Sequence, residues 1–196
     1  MVYEQIDIKT VEEPDGETLL IKGYANRYME EDGTIVVDDW GTTFDPLSFT
    51  LDTFKNNPVL LNGHDNSKPI GRVTTIEKRE TGLYIEALVF RGSDETAYFN
   101  IKNKVITCFS VGVDIKEDYW SDLLSAYVIV SADLIEISVV AVPSNTSSFI
   151  EEVSLCSLGV CSVVRGKQPP TKRVTSKLDK IIITQMVKKI LNESKQ

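Results

Sequence analysis

Short apolar-rich runs separated by turn residues make up most of the first 150 residues, and they predict a domain built mainly of strands. Thr81-Gly82 lies between two such runs and is typical of a hairpin turn, whereas Pro143 ends the last run because proline cannot donate to a ladder. The predicted strands are Leu19–Tyr24, Gly71–Lys78, Leu83–Phe90, Val105–Ile115, Ala126–Val130 and Leu134–Val142.

Two segments have a helical spacing of apolar residues or a helical start. Pro46–Asn56 places apolar side chains at Leu47, Leu51 and Phe54. Ser93–Lys104 opens with a capping serine, followed by acidic residues in its first turn. Together the strands and helices predict an α+β, mainly β fold, which we expect to be a closed or nearly closed antiparallel β-barrel flanked by helices.

The pattern changes after residue 150, so residues 1–150 are predicted to form one domain that carries an appended segment. Residues 151–173 are rich in serine and glycine, contain Pro169-Pro170 and predict a linker. Residues 174–196 predict an amphipathic helical tail that packs on its own domain, self-associates or docks on an assembly partner. Its apolar stripe consists of Ile183, Val187, Ile190 and Leu191.

The net charge of −8 is unevenly distributed along the chain. Residues 1–150 hold 12 Lys+Arg and 25 Asp+Glu, a net −13, whereas residues 151–196 hold 9 and 4, a net +5. The acidic domain argues against specific binding of nucleic acid. The basic segment contacts nucleic acid or the acidic body of another copy, or is solvated without a partner.

Two further classes are not expected from the sequence. There is no run of roughly eighteen apolar residues, so no membrane span is predicted, and the N-terminal residues do not resemble a secretory signal. The three cysteines lack the spacing of a metal site, so we expect free thiols in a reducing compartment.

His64 is the only histidine of the chain and is the first candidate for catalysis. An imidazole titrates near neutral pH and is therefore the simplest general base, although a surface-loop histidine is the alternative. On the strand around Ser110, Cys108, Ser110 and Gly112 share one face. That face is open enough for a nucleophile, and Gly112 would allow a substrate backbone to approach closely.

Glu136 is the candidate for the acid that orients an imidazole. It shares a strand face with Ser138, whereas Ile135, Ile137, Val139 and Ala141 are predicted to share the apolar face. Asp133 is a rival for this role and Asp65 a weaker one, and a solvated surface glutamate is the alternative.

Seven short segments follow one another in a fixed order along the chain: Ile21–Ala25, Val59–Asp65, Pro69–Gly71, Thr81–Leu83, Phe109–Gly112, Asp133–Val140 and Pro143–Asn145. This order resembles that of the prohead, or capsid maturation, serine proteases of tailed bacteriophages, over roughly residues 20–150. The segment Thr34–Asp45 follows the family's glycine-and-phenylalanine pattern only loosely.

The resemblance implies a serine endopeptidase that uses no cofactor and no metal. It makes His64 the general base, Ser110 the nucleophile and Glu136 the acid that orients His64. The family is similar in fold to the herpesvirus assemblins, which use a second histidine as third member of the triad. Since His64 is the only histidine here, a triad in this chain needs a carboxylate.

The resemblance also implies the substrates and the place of action. These are the scaffold protein or the scaffolding segment of the major capsid protein, and the protease itself, inside the immature prohead in the bacterial host cytoplasm. A homodimer or higher oligomer is expected, and residues 151–173 are the predicted region of self-cleavage.

Two other functions remain open at the level of sequence. One is a catalytically inactive capsid-assembly module that uses the barrel and the tail for protein contacts. The other is a thiol protease in which Cys108 is the nucleophile and His64 its base, although Cys108 also suits a small buried position.

Overall fold

A computed structural model of the chain describes residues 2–7, 17–157 and 160–163. These residues contain eleven strands and two short helices. In chain order the elements are β1 (Val2–Asp7), β2 (Thr18–Arg27), β3 (Thr42–Phe44), β4 (Phe49–Thr50), α1 (Asp52–Asn56), β5 (Val59–Asn62), β6 (Asp65–Arg79), β7 (Gly82–Phe90), α2 (Glu95–Lys102), β8 (Cys108–Ser121), β9 (Ala126–Val140), β10 (Ile150–Ser157) and β11 (Val160–Val163).

The strands form one mixed sheet around the central strand β9. The sheet runs in the order β11-β10-β2-β7-β6-β5-β9-β3, with β1 paired to β6 and with β4 and β8 paired to β9. β9 is antiparallel to β8 but parallel to β3, β4 and β5. Because β5 and β8 flank the same stretch of β9, three segments that are distant in sequence meet at its C-terminal half.

The mainly β composition is as predicted, but the predicted antiparallel barrel is wrong in two respects. Three of the pairings of β9 are parallel, and the sheet is not closed. β8 approaches the start of β10 only through an isolated bridge between Cys108 and Phe149. No continuous ladder forms there, because β8 continues along β9 while β10 turns to pair with β2.

Both predicted helices are shorter than the sequence pattern indicates. α1 covers only Asp52–Asn56, because Phe49–Thr50 forms β4 on β9 and Leu47 is exposed. Here pairing with a distant strand outweighs local helical spacing. α2 is capped by Asp94, whose side chain accepts a hydrogen bond from the Ala97 amide at 2.9 Å.

Several strand boundaries also differ from the prediction. The two predicted strands at 126–130 and 134–142 are one strand, β9, and β8 extends to Ser121. β10 and β11 occupy residues 150–157 and 160–163, within the range read as a linker. The remainder of that linker and the helical tail at 174–196 lie outside the described residues.

The core lies on the side of the sheet that carries Phe109, Ile137 and Val139, each fully buried. Leu60 from β5 and Ile101 from α2 pack into the same cluster, so the helix covers part of this face. Burial of such side chains is the main driving force for folding and fixes the register of β8 on β9. Among the described residues, no helix is long and apolar enough to cross a membrane.

Candidate active site

His64 lies at the tip of the tight turn between β5 and β6. Asn62 pairs with Asp65, and the two residues between them, Gly63 and His64, both have positive φ, at 67° and 60°. Positive φ at both central positions is the pattern of a type I′ hairpin turn, which matches the twist of the strands. A histidine in this conformation is uncommon and requires support from its surroundings.

The neighbouring strand β9 supplies that support. The Gly63 amide donates a hydrogen bond to the Val139 carbonyl at 2.9 Å, and the His64 amide donates to Ser138 Oγ at 3.0 Å. Both central residues of the turn are thus held by β9, which lies more than seventy residues away in sequence. The turn sets the backbone conformation of His64, and the two hydrogen bonds to β9 hold that backbone in place.

β8 and β9 bring the other candidates together on one face. Ser110 lies directly opposite Ser138, and Gly112 lies directly opposite Glu136. Residues that are directly opposite in an antiparallel pair project from the same side of the sheet. Ser110, Glu136 and Ser138 therefore share a face, as predicted for the two strands separately.

A β-bulge at Ile135 directs Glu136 to this face. The pairing shifts between Gly112, opposite Glu136, and Val113, opposite Leu134, which leaves Ile135 without a partner and 47% exposed. Because of the extra residue, Leu134 enters the core while Glu136 points to the opposite side. The prediction that Ile135 shares the apolar face of Ile137 is therefore wrong.

The side chain of Glu136 accepts hydrogen bonds at both of its oxygens. Its Oε1 lies 2.6 Å from His64 Nδ1, and its Oε2 accepts from Ser138 Oγ at 2.7 Å. With the bond from the His64 amide to Ser138 Oγ, the three residues form a closed ring of hydrogen bonds. The Glu136 side chain is only 10% exposed, whereas that of His64 is 43% exposed, so the carboxylate lies beneath the imidazole.

This arrangement determines which ring nitrogen carries the proton. An ionised carboxylate can only accept, so a neutral His64 facing Glu136 must carry its proton on Nδ1. Nε2 is then the basic nitrogen, and the imidazole that carries it belongs to a side chain that is 43% exposed. The pair has the form in which a carboxylate orients a general base and stabilises its protonated state.

Gly112 provides the space that the Glu136 carboxylate occupies. A Cβ atom at this position would fall well inside contact distance of Glu136 Oε1. The prediction that a substrate backbone approaches at Gly112 is wrong, because the side chain of Glu136 fills this space. A residue without a side chain is therefore needed here for the carboxylate to lie across β8.

The candidate nucleophile Ser110 is partly exposed on the same face. Within the described residues, no hydrogen bond joins its hydroxyl to His64. Hydrogen bonds between a nucleophile and its base commonly tighten only when substrate is bound, so this geometry agrees with Ser110 as a candidate nucleophile.

The rival carboxylates lie in other networks. Asp133 pairs with Thr50 and with Lys116, whose Nζ is 3.3 Å from its Oδ2, and these contacts lower the pKa of Asp133. Asp65 accepts from the side chain and amide of Ser67 and pairs with Lys68 at 3.1 Å, which lowers the pKa of Asp65 to about 2. Only Glu136 among the three predicted acids contacts the imidazole.

The cysteines differ from one another. Cys108 is free and partly exposed, and it lies two residues before Ser110 on the same strand. Cys156 is disulfide-bonded, so the expectation of free thiols is wrong for that residue. In the part of the chain that the structure describes, no group of three or more histidine, cysteine or acidic side chains could hold a metal ion.

The contacts of Ser138 could not be predicted from the sequence alone. Its side chain is fully buried, yet its hydroxyl contacts both His64 and Glu136. The spacing Glu-x-Ser predicts that Glu136 and Ser138 share a strand face. The contact of Ser138 with His64 depends in addition on the β5–β6 turn, which is distant in sequence.

Comparison with known proteins gives consistent matches. Residues 4–158 match the model of the family described as caudovirus prohead serine protease. The prohead protease of Escherichia phage T5 is 32% identical over 144 residues, which cover 72% of this chain and 66% of that protein. The match thus spans slightly less than two thirds of the relative's length.

A structural comparison gives a weaker likeness. A crystal structure of KSHV protease in complex with a hexapeptide phosphonate inhibitor covers 71% of this chain and 65% of that chain, at 9% identity and a TM-score of 0.37. This value is too low to assign a shared fold. The predicted similarity in fold to the herpesvirus assemblins therefore stays a prediction, whereas the predicted family is confirmed.

Proposed function

This chain belongs to the caudovirus prohead serine proteases, and from this premise we propose that it is a serine endopeptidase of capsid maturation with Ser110 as nucleophile, His64 as general base and Glu136 as orienting acid. The observation that carries the proposal is the 2.6 Å contact between His64 Nδ1 and Glu136 Oε1. This contact leaves Nε2 as the basic nitrogen, and the Ser110 hydroxyl lies on the same sheet face as Glu136 and Ser138.

The chemistry follows from these positions. Nε2 of His64 takes the proton of Ser110 as the hydroxyl oxygen attacks the carbonyl carbon of the scissile peptide. Glu136 stabilises the imidazolium, which then protonates the leaving amine. Water, activated by the same imidazole, hydrolyses the acyl-enzyme and releases Ser110. Backbone amides near the site supply the stabilisation that the oxyanion requires.

The proposed substrates are the scaffold protein, or the scaffolding segment of the major capsid protein, and the chain itself. Inside the immature prohead the enzyme meets these substrates at high local concentration, as a homodimer or higher oligomer. Residues 150–156 pair with β2 and residues 154–157 pair with β11, so the proposed self-cleavage falls in 164–173, beyond these strands in the predicted linker.

The test is intact-mass spectrometry of the wild-type chain and Ser110→Ala, each co-expressed with the major capsid protein of the same phage. Ser121→Ala is the matched control, because Ser121 ends the same strand far from His64. Fragments made by wild type and Ser121→Ala but not by Ser110→Ala support the proposal.

The remaining outcomes separate the rival functions. Fragments that persist in Ser110→Ala but disappear in Cys108→Ser identify a thiol protease. Fragments in none of the variants, together with normal assembly of capsid protein, identify an assembly module. Either result rejects the proposed role of Ser110.

A further inference from the structure

We infer that Ser138 is a positioning residue of this site: its hydroxyl holds the Glu136 carboxylate and the main chain of His64 in the arrangement that keeps Nε2 basic. The inference rests on the proposed function, because it assigns a role within the same site. It concerns a residue that neither forms nor breaks a bond in the mechanism above.

The first support is the pair of hydrogen bonds made by one hydroxyl. Ser138 Oγ donates to Glu136 Oε2 at 2.7 Å and accepts from the His64 amide at 3.0 Å. A serine hydroxyl can donate one bond and accept others, so both contacts can exist at once. Ser138 thus links Glu136 to the main chain of His64, in addition to the direct contact between Glu136 and the imidazole.

The second support is burial. Ser138 is 0% exposed and the Glu136 side chain 10% exposed, so water is largely excluded from this side of the carboxylate. Without the hydroxyl, Glu136 Oε2 and the His64 amide would each lose a hydrogen bond. Little water is present to replace these bonds, so their loss is unfavourable. The carboxylate would then move to find another donor.

The third support is the conformation of His64. Its φ of 60° belongs to a region that non-glycine residues avoid, and it persists only where neighbouring contacts hold the backbone. The bond to Ser138 is one such contact. Its loss would free the turn and thereby the direction of the imidazole.

The chain provides a matched control. Ser154 on β10 is also buried, and its hydroxyl donates to Glu152, two residues earlier, at 2.9 Å. Ser138 and Glu136 have the same spacing and the same kind of bond. Ser154→Ala therefore removes an equivalent bond in a place without a histidine.

The first measurement is the tautomer of His64 by ¹⁵N NMR of the full chain, made in a Ser110→Ala background to prevent self-cleavage. Only one histidine contributes to the spectrum. We expect the Nδ1–H form to dominate in the background chain and with Ser154→Ala, and a mixture of both tautomers with Ser138→Ala. This readout does not depend on peptidase activity.

The second measurement is the rate at which a fluorophosphonate labels Ser110 in otherwise wild-type chains. In this step the Ser110 oxygen bonds to phosphorus, fluoride leaves and the proton passes to His64. We expect Ser138→Ala to lower the rate by roughly tenfold to a hundredfold, as for one lost hydrogen bond to a charged group. Ser154→Ala should leave it unchanged.

Several outcomes would overturn the inference. They are an unchanged tautomer in Ser138→Ala, an unchanged labelling rate in an enzyme that does label, and equal losses in Ser154→Ala. If Ser138→Ala does not fold, Ser138→Cys keeps the size of the side chain with a weaker donor and should show the same changes in smaller measure. If the wild type is not labelled at Ser110, the proposed function fails, and the tautomer alone decides on Ser138.

Discussion

Strands β8 and β9 form one antiparallel ribbon, and the two ends of this ribbon differ in burial. At the site end, Glu136 is largely buried and each of its oxygens accepts a hydrogen bond. At the far end, Trp120 and Tyr127 are about half exposed, at 51% and 48%. The bulge at Ile135 separates the two parts.

The charges on the two sides of the bulge differ in the same way. Lys116 pairs with Asp114 at 2.5 Å and with Asp133 at 3.3 Å, but all three side chains are at least one third exposed. Water and salt screen such pairs, so they add little to stability. The bond between His64 and Glu136 is shielded on the carboxylate side and should matter far more. One pair of strands can therefore carry both a buried site, where loss of one hydrogen bond is costly, and an exposed surface, where loss of an ion pair costs little.

The largest expected effect that would test this contrast is Glu136→Gln. The amide cannot stabilise the imidazolium by charge and favours the wrong tautomer of His64, so the rate of fluorophosphonate labelling should fall by about 10³–10⁴-fold. Glu152→Gln is the control, since Glu152 accepts from Ser154 in the same way. A fall of less than tenfold in Glu136→Gln would show that its carboxylate does not orient the base.

The next effect is expected from Gly112→Ala. The added methyl group would displace Glu136 Oε1 from His64, so the labelling rate should fall by about 10–100-fold and stability by about 1–3 kcal/mol. Gly92→Ala is the control, because a Cβ atom at Gly92 meets nothing within 4 Å. Labelling and urea denaturation at Gly112→Ala equal to those of the control would mean that the carboxylate moves aside freely.

A smaller effect is expected at the far end from Trp120→Ala. The rings of Trp120 and Tyr127 meet edge to face with centroids 5.1 Å apart, so loss of the pair should cost about 1 kcal/mol. Labelling of Ser110 should stay within about twofold, because distant sites act independently. Urea denaturation followed by circular dichroism measures the loss of stability. Leu123→Ala is the control, because Leu123 is an exposed turn residue and its replacement should change stability little. A large loss of labelling would show that the two ends are coupled.

The smallest effect is expected from Asp133→Asn. Bonds from Thr50 and Lys116 lower the pKa of Asp133 in the folded chain. A lowered folded pKa contributes stability above the unfolded value of about 4, and this contribution is lost as the pH falls through the folded value. The urea midpoint of Asp133→Asn should therefore lie slightly below that of wild type at neutral pH, and the two should converge in acid. The labelling rate should not change, and a strong fall would instead make Asp133 the orienting acid.

The sequence by itself determined the family, the mainly β composition and the short set of candidate residues. The hairpin between β6 and β7, whose turn is Glu80-Thr81, one residue before the predicted Thr81-Gly82, and the faces of β8 were readable because turn residues and two-residue alternation are local properties. His64 could be singled out because the chain has no other histidine. Glu136 was preferred to Asp133 and Asp65, and that choice came from the resemblance to the family rather than from the local pattern.

The tertiary structure decided what depends on register between distant segments. The bulge at Ile135, the space above Gly112 and the contact of Ser138 with His64 arise only when β5, β8 and β9 are aligned, and His64 and Glu136 are 72 residues apart. The parallel pairing of β4 likewise shortened a segment whose local pattern is helical. Local patterns set which face a side chain takes within one strand, whereas burial and cross-strand hydrogen bonds set which faces meet.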